Sequence, residues 1–404
     1  MVSRLGRHVE IKPGVYWVGV DDRETKLFES LWSLPHGVSY NSYLILGERK
    51  VLVDTVKAEY AEELIENINS VIDVKELDYV IVNHLEPDHS GSLPEIVKNA
   101  PNVKIVGTNR AIDMVKSFFH LDQETISVRD GSSLDIGGKT LRFIEAMWLH
   151  WPETMFTYLV EDKILFPCDA FGSFGALGNK IFDDEVDLEL FFSESKRYFA
   201  TIVSKYSKFV LRAIEKIKNL GIDIEIIAPG HGPVYRKNPL KIVELFEKWS
   251  RGTPGKRVAI VYGSMHGNTK KIAEVLEENI NSESIDTVVH DISYGDISFI
   301  LRDLLNAPAV IFGCPTYDGN IFPPLRHLVN LLEIKRLQRK IIGLFGTYAW
   351  GGNALSQLKK ILVEMGHEVI EPIVSVKGAP TIDDLEKIKS LAKKIASRVL
   401  NKVS

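Results

Sequence analysis

The sequence predicts two domains: a mixed α+β domain, followed by an α/β domain with a doubly wound parallel sheet. The chain has 404 residues, more than one ordinary hydrophobic core supports. Short β-rich runs and helical segments mix irregularly before about residue 250, whereas strands and helices alternate regularly after it. The run Ser250–Lys256, rich in Gly, Pro and Ser, is typical of a linker. We therefore place the domains at residues 1–252 and 253–404.

The elements of the first domain are predicted from two periodicities. Runs rich in β-branched and aromatic residues predict strands at Val15–Val20, Ser42–Leu46 and Val51–Asp54, the last two joined by a turn at Gly47–Lys50. Apolar residues at helical spacing predict helices at Tyr60–Ile72 and Asn109–Phe119 and across Glu189–Leu220. This mixture predicts packed sheets with helices outside them.

The second domain shows five predicted strands with helical runs between them. Such alternation favours a parallel, doubly wound sheet whose ligands bind at the carboxyl ends of the strands. The predicted strands are Arg257–Gly263, Asp286–Ile292, Ala309–Cys314, Lys340–Gly346 and Glu368–Val376.

Composition excludes several classes of protein. The net charge of -5 gives no indication of a nucleic-acid or anionic-membrane partner, and no apolar run approaches the roughly 20 residues of a membrane helix. The two cysteines, Cys168 and Cys314, are too few for a disulfide scaffold, a four-cysteine zinc ribbon or an all-cysteine iron–sulfur cluster. The basic start Met1–Arg7 is followed by no apolar segment, so no secretory signal is predicted. We expect a cytoplasmic protein.

A dense group of candidate metal ligands lies in Asn83–Ser92, directly after the apolar run Tyr79–Val82. Further candidates follow other predicted strands, where loops marked by Gly or Pro begin, and such loops are where site residues gather. Taken singly, Asp169 could be a helix N-cap and His231 a turn residue. Taken together, four histidines and three carboxylates predict a metal site. The candidates are His84, Glu86, Asp88, His89, His150, Asp169 and His231.

Three loops of the second domain carry candidate cofactor-binding residues. The first opens a predicted helix, whose N-terminus favours a phosphate, but it lacks the lysine of GxxxxGK[ST] and is not GxGxxG. The other two bring Tyr317, Tyr348 and Trp350 to the strand ends, where aromatic rings stack on a flat ligand or simply pack together. The loop residues are Ser264, Met265, His266, Gly267, Asn268 and Thr269; Pro315, Thr316, Tyr317, Asp318, Gly319 and Asn320; and Thr347, Tyr348, Ala349, Trp350, Gly351 and Gly352.

The HxExDH spacing of residues 84–89, with the later His, Asp and His, resembles the metallo-β-lactamase superfamily and, more closely, the flavodiiron proteins. The second domain resembles flavodoxin, so the likeness covers nearly the whole chain. It implies an αββα sandwich with two iron ions, followed by a flavodoxin-like domain whose three loops bind FMN. It also implies three groups of ligands: His84, Glu86 and His150 for one iron, Asp88, His89 and His231 for the other, and Asp169 as the bridge.

The resemblance further implies a reductase of dioxygen to water, of nitric oxide to nitrous oxide, or of both. FMN and a diferrous pair together hold the four electrons that dioxygen requires. Family members are head-to-tail homodimers or dimers of dimers, and we expect the same here. No CxxC-bearing extension precedes Ser404, so we expect a separate electron donor: a rubredoxin, a reduced deazaflavin or a reductase. Tyr198 resembles a pocket tyrosine, or is ordinary helix packing, while Ser173 and Phe174 stand near the position where some members have a histidine, which leaves the preferred gas open.

Three alternatives stay open at this point. Glu86 in place of a histidine favours iron, but a dinuclear zinc centre tolerates one glutamate, so a zinc hydrolase fused to a flavodoxin is one alternative. A flavodoxin-type electron carrier with a structural metal domain is another. Asp54 is either an acceptor for a ligating histidine or another structural partner of the site, or a turn residue at a strand end.

Overall fold

The structure is a computed structural model and describes residues 7–337 and 339–403. Its contacts divide the chain into two units that meet between Ser250 and Arg251. The boundary predicted from the sequence lies two residues further along. The predicted basic start lies outside the described residues, apart from Arg7. Within the described ranges, no helix combines the length and apolar character needed to cross a bilayer.

The first unit is built on two sheets. The strands of this unit are Val9–Lys12 (β1), Val15–Trp17 (β2), Val20–Asp22 (β3), Leu27–Phe28 (β4), Trp32–Ser33 (β5), Val38–Tyr40 (β6), Tyr43–Leu46 (β7), Lys50–Val53 (β8), Leu77–Ile81 (β9), Lys104–Thr108 (β10), Thr125–Val128 (β11), Ser133–Asp135 (β12), Thr140–Glu145 (β13), Met155–Leu159 (β14), Ile164–Phe166 (β15) and Ile226–Ile227 (β16). The first sheet has the strand order β1-β2-β7-β8-β9-β10-β11, and the second has the order β12-β13-β14-β15-β16.

Side chains from both sheets share one buried core. Trp17, Tyr43 and Val106 of the first sheet pack in the same cluster as Phe143 and Phe166 of the second. The helices of this unit are Ala61–Asn69 (α1), Pro87–Ser90 (α2), Leu93–Asn99 (α3), Asn109–Phe119 (α4), Leu188–Tyr198 (α5), Ser207–Asn219 (α6) and Pro239–Ser250 (α7). The predicted sandwich of sheets with helices is confirmed.

The predicted helix Glu189–Leu220 is wrong as one continuous element. A π-helical turn at Phe199–Val203 and a 3-10 turn at Ser204–Tyr206 separate α5 from α6. Thr201 Oγ1 donates to the carbonyl of Arg197 at 2.8 Å, and Ser204 Oγ donates to that of Ala200 at 2.9 Å. Hydroxyls that bond to carbonyls in the preceding turn bend helices, and periodicity alone does not reveal them.

The strands of the second unit are Arg257–Tyr262 (β17), Asp286–Asp291 (β18), Ala309–Gly313 (β19), Thr316–Tyr317 (β20), Asn320–Ile321 (β21), Ile341–Tyr348 (β22), Glu368–Val369 (β23) and Val374–Lys377 (β24). They include a parallel sheet, as the sequence predicts, with the order β18-β17-β19-β22-β23 and with β24 also paired to β22. The helices are Asn268–Asn281 (α8), Ile297–Leu305 (α9), Pro323–Lys335 (α10), Ala354–Glu364 (α11) and Ile382–Val403 (α12).

The predicted strand Glu368–Val376 is wrong as a single element. It divides into β23 and β24, which pair with different parts of β22. Pro372 lies between the two halves. Because proline has no N–H to donate to a sheet ladder, it interrupts the strand.

Candidate metal and flavin sites

The seven predicted metal ligands come together in the first unit. His84, Glu86, His150 and Asp169 form one group in which candidate ligand atoms lie within 4.8 Å of one another. Asp88, His89 and His231 form a second group with the same property. The structure therefore presents two adjoining sets of nitrogen and oxygen donors.

Asp169 joins the two groups because its two carboxylate oxygens face different histidines. Oδ2 lies 2.9 Å from Nε2 of His150 and 3.2 Å from Nε2 of His84. Oδ1 lies 3.0 Å from Nε2 of His89 and 3.3 Å from Nε2 of His231. A carboxylate with one oxygen directed into each group has the arrangement of a bridging ligand.

Strand ends bring the ligands to this place. His84 and Glu86 lie between β9 and α2, and His150 lies between β13 and β14. Asp169 follows β15, and His231 follows β16, the parallel neighbour of β15. Since β9 belongs to the first sheet and the other strands to the second, the cluster forms where the ends of both sheets meet.

The cluster has the electrostatics of a cation site. Its histidines and Asp169 are almost fully buried, Glu86 and Asp88 are partly buried, and no described lysine or arginine forms an ion pair with these three carboxylates. Asp88 Oδ1 and His231 Nε2 are buried without a hydrogen-bond partner. Buried charges without compensation are costly, so these donors fit bound metal ions, and the mixed nitrogen and carboxylate set suits iron.

The protonation equilibria of these groups agree with that conclusion. Burial opposes protonation of His150, but Asp169 and Glu86 outweigh it and raise its pKa to about 9. Burial likewise opposes protonation of His231, while Asp169 and Asp88 raise its pKa to about 10. Without metal, protons therefore supply the positive charge that the carboxylates require. Metal ions that bind here displace those protons.

Hydrogen bonds outside the cluster fix which nitrogen faces it. The Nδ1 atom of His84 lies 2.8 Å from Oε1 of Glu153, which also accepts from the N–H of Leu85 at 3.0 Å. His231 Nδ1 donates to the carbonyl of Ser39 at 2.8 Å. Both rings are thus held with Nε2 toward the metal groups, the usual arrangement of a ligating histidine.

The geometry identifies Asp54 as a structural partner of the site and not as the acceptor for His84. Asp54 accepts from the backbone and side-chain N–H groups of Asn83, at 2.8 and 3.0 Å, and so fixes the residue before His84. Its carboxylate bonds to neither ring nitrogen of His84, whose acceptor is Glu153. Glu153 was missed, although its position three residues after His150 was the available signal.

Aromatic side chains cover one side of the cluster. The hydroxyl of Tyr198 donates to Oδ1 of Asp169 at 2.6 Å, and its ring lies 5.6 Å from that of His231. Phe174 packs edge-on against Tyr198 with ring centroids 5.2 Å apart, and Phe28 packs against His231 at 5.4 Å. Tyr198 therefore touches the candidate bridge directly. Phe28, in a short hairpin, carried no signal in the sequence.

The three predicted cofactor loops of the second unit line one crevice of about 330 Å³. All the predicted loop residues line this crevice except Gly267, Asn320 and Gly352. Gly378, which was not predicted, also lines it. The crevice lies at the carboxyl ends of β17, β19 and β22, as expected for a doubly wound sheet. Trp350 is 88% exposed beside it, which suits a side chain that a ligand or partner covers.

The first loop is preorganised for a phosphate. Ser264 Oγ accepts from the N–H groups of Gly267 and Lys270, at 3.1 and 3.3 Å, and Gly267 takes a positive φ of 89°. The hydroxyls of Thr269 and Thr347 are 2.8 Å apart, which links the first loop to the third. Helix α8 thus begins at the crevice, and free backbone N–H groups in its first turn can bind an anion.

Known proteins match both units. The family described as ODP family beta lactamase matches residues 38–232, and Flavodoxin matches residues 260–390. A protein named nitric oxide reductase from Moorella thermoacetica is 35% identical over 98% of this chain and 100% of its own length. The chain belongs to the flavodiiron protein family.

Solved structures of the family have the same fold. Rubredoxin oxygen:oxidoreductase from Desulfovibrio gigas has a TM-score of 0.95 and 33% identity, covering 98% of this chain and 100% of that one. The flavodiiron protein from Giardia intestinalis has a TM-score of 0.94 and 28% identity, covering 98% of each chain. Family membership accounts for the presence of a metal cluster and a flavin crevice in one chain.

We predict that Glu153→Gln lowers iron affinity about 10- to 100-fold, because the amide no longer provides a charged acceptor for the Nδ1–H of His84. The measurement is a ferrous-ion titration of the metal-free protein under anaerobic conditions. Glu145→Gln, a half-buried glutamate at the end of β13, is the matched control and should bind iron normally. Unchanged iron affinity in Glu153→Gln would show that Glu153 does not support metal binding by His84.

We predict that Ser264→Asp lowers FMN affinity at least tenfold. The new carboxylate can still accept from the N–H groups of Gly267 and Lys270, so α8 keeps its start, but it repels the flavin phosphate. Fluorescence titration of the flavin-free protein measures the effect. Ser356→Asp, in the exposed first turn of α11 outside the crevice, carries the same charge and should leave FMN binding unchanged.

Proposed function

We propose that this chain is a flavodiiron reductase that passes electrons from FMN to a pair of iron ions and reduces dioxygen to water, nitric oxide to nitrous oxide, or both. The observation that carries the proposal is Asp169, whose two oxygens face separate groups of histidines. The names of relatives support both gases, since one is a nitric oxide reductase and another an oxygen:oxidoreductase. We propose residues 1–252 as the diiron domain and 253–404 as the FMN domain.

The proposed roles follow from the contacts of each side chain. Seven ligands would hold the iron pair: His84, Glu86 and His150 on one side, Asp88, His89 and His231 on the other, with Asp169 between them. When bound, the iron pair and FMN supply the electrons for reduction. The loops after β17, β19 and β22 would hold the flavin.

Tyr198 is the proposed proton-bearing residue of the site. Burial, together with the nearby Asp169 carboxylate, raises its pKa well above the ordinary value, so the hydroxyl keeps its proton. The hydroxyl oxygen lies 2.6 Å from Oδ1 of Asp169 and donates this proton to it, at the surface of the cluster. Phe28 and Phe174 pack around the same place and exclude water from it.

The direct test is to load the protein with iron and FMN, reduce it, and measure dioxygen and nitric oxide uptake with metal and flavin content. We expect two irons per chain and uptake of at least one gas. Asp169→Asn should hold fewer than two irons and lose uptake, because the amide has no charge to share between two cations. Tyr198→Phe should keep both cofactors but lower kcat about tenfold or more.

The controls separate this proposal from its alternatives. Tyr158→Phe removes a hydroxyl that donates to the carbonyl of Asp223, away from the cluster, and should leave kcat unchanged. Hydrolysis of thioesters or lactones by the zinc form, with no gas uptake by the iron form, would instead indicate the zinc hydrolase. Flavin redox cycling without gas uptake in the iron-loaded parent would indicate the electron carrier.

We also propose a head-to-tail homodimer, or a dimer of such dimers, in which the FMN of one subunit serves the iron pair of the other. Exposed apolar side chains near the metal cluster support this arrangement. Phe118 is 47% exposed and packs on Trp151, whose ring lies 5.3 Å from that of His84. Trp148 is 44% exposed, two residues before His150. An interface would cover such a surface.

Two further features are proposed. The electron donor would be a separate rubredoxin, a reduced deazaflavin or a reductase, and the rubredoxin in the name of the D. gigas relative supports the first of these. The location would be the cytoplasm, which the two buried free cysteines suit.

Mixing two inactive variants tests the dimer. At an FMN concentration that saturates the parent but not the variant, Ser264→Asp would retain iron and carry little FMN, whereas Asp169→Asn would retain FMN but not the iron pair. In a head-to-tail dimer, subunit exchange should restore roughly a quarter of parental gas uptake, since half of the dimers are mixed and each has one complete pair of sites. Demonstrated subunit exchange without any recovered uptake would contradict transfer between subunits.

A further inference from the structure

A polar cavity of about 460 Å³ lies at the amino ends of the strands of the flavodoxin-like sheet, where β22 and β23 begin. Of the described residues that line it, Arg339, Lys340, Arg398 and Lys402 are cationic and Glu368 is acidic. This local excess of positive charge contrasts with the net charge of -5 of the whole chain. The cavity therefore has the electrostatics of an anion site.

A neighbouring cavity of about 510 Å³ shares two of these wall residues, Arg339 and His367. It adds Arg326 and Arg336, together with the carboxylates Glu333 and Glu364. Arg339 and His367 thus form a wall common to the two cavities. A ligand with more than one negative group could reach both.

His367 supplies a buried donor at the shared wall. It is 7% exposed, and its Nδ1 accepts from the backbone N–H of Lys340 at 3.0 Å. A neutral ring that accepts at Nδ1 carries its proton on Nε2. That Nε2–H is buried and has no hydrogen-bond partner, although buried donors normally have one. This donor is therefore available to a ligand in the cavity.

The backbone holds His367 in this position. Helix α11 ends in a turn in which Gly366, with a φ of 84°, is followed by the His367 N–H bonding back to the carbonyl of Leu362 at 3.0 Å. The absence of a side chain at Gly366 also makes room for Arg339, since an added Cβ would lie 3.3 Å from its Nε. Burial and then the Lys340 ammonium lower the pKa of His367 to about 4, so the ring is a neutral donor at neutral pH.

We propose that this cavity binds a small ligand carrying two or more phosphoryl groups, held by the guanidinium groups of Arg339 and Arg398, the ammonium of Lys402 and the Nε2–H of His367. Phosphoryl oxygens suit the planar donor fork of arginine, and a compact group can reach a donor that lies below the surface. Arg398 keeps Glu368 as a partner, which leaves Arg339 and Lys402 as the stronger attractors.

The site is separate from the flavin crevice. Strand β22 begins at Ile341 beside this cavity and ends at Tyr348, which lines the crevice. Its eight residues span roughly 25 Å at about 3.3 Å per residue. The experiment therefore uses protein saturated with FMN, so that the probe cannot occupy the flavin phosphate position.

The test is calorimetric titration of the full-length, FMN-saturated protein with inorganic tripolyphosphate, with a ¹⁵N-histidine NMR spectrum of each end point. We expect saturable binding and a shift of the Nε2–H signal of His367. Arg339→Ala should weaken binding at least tenfold while FMN content and Tm stay at parental values. His367→Phe should weaken binding as much, with a lower Tm because the Lys340 N–H loses its acceptor. Lys393→Ala, an exposed lysine on the far face of α12, removes the same charge and should bind normally.

Three results would overturn the proposal. The first is the absence of tripolyphosphate binding by the parent. The second is parental affinity in Arg339→Ala, a surface variant that does not depend on the folding of the His367 variant. The third is tighter binding of poly-glutamate than of tripolyphosphate, which would indicate an acidic protein partner.

Discussion

The first unit depends on the carboxylate of Asp169 and the four imidazoles that face its two oxygens. The carboxylates of the cluster require positive charge, because no described lysine or arginine pairs with them; protons on the histidines supply it without metal, and metal ions supply it when bound. The sheets, the loops and the aromatic cover are all arranged around this requirement. Metal binding is therefore part of the stability of the unit as well as of its chemistry.

The backbone is locally strained near the segments that carry the candidate metal ligands. Asp54, Trp148, Cys168 and Phe171 adopt positive φ angles between 49° and 68°, and each lies at or next to a segment that carries a ligand. Each such conformation costs about 1–3 kcal/mol for a residue other than glycine. The buried core shared by the two sheets supplies the stabilisation that keeps these conformations in place.

The sequence predicts the ligands better than it predicts their surroundings. The seven donors follow strand ends, and the HxExDH spacing makes four of them conspicuous, so patterns within the chain suffice to find them. Glu153 and Phe28 could not be found in this way, because only the tertiary fold brings them to His84 and His231. For the same reason, the sequence could not decide between the possible roles of Asp54.

The same distinction applies to the fold. Strand and helix alternation predicts the doubly wound sheet, because each element carries its own periodicity. The helix break at Phe199–Val203 depends on side-chain hydroxyls, and the strand break at Pro372 depends on a missing N–H. The spacing of apolar residues reveals neither feature. The flavin loops fall between these cases: strand ends locate them, but only the folded crevice shows that Gly378 lines it and that Gly267, Asn320 and Gly352 do not.

The central claim is that Asp169 joins two iron sites, and anomalous diffraction at the iron edge tests it most directly. Crystals of anaerobically iron-loaded protein should show two peaks, one beside Oδ1 among Asp88, His89 and His231, and one beside Oδ2 among His84, Glu86 and His150. A single peak, or density that scatters at the zinc edge and not at the iron edge in protein purified from its native cells, would contradict the account.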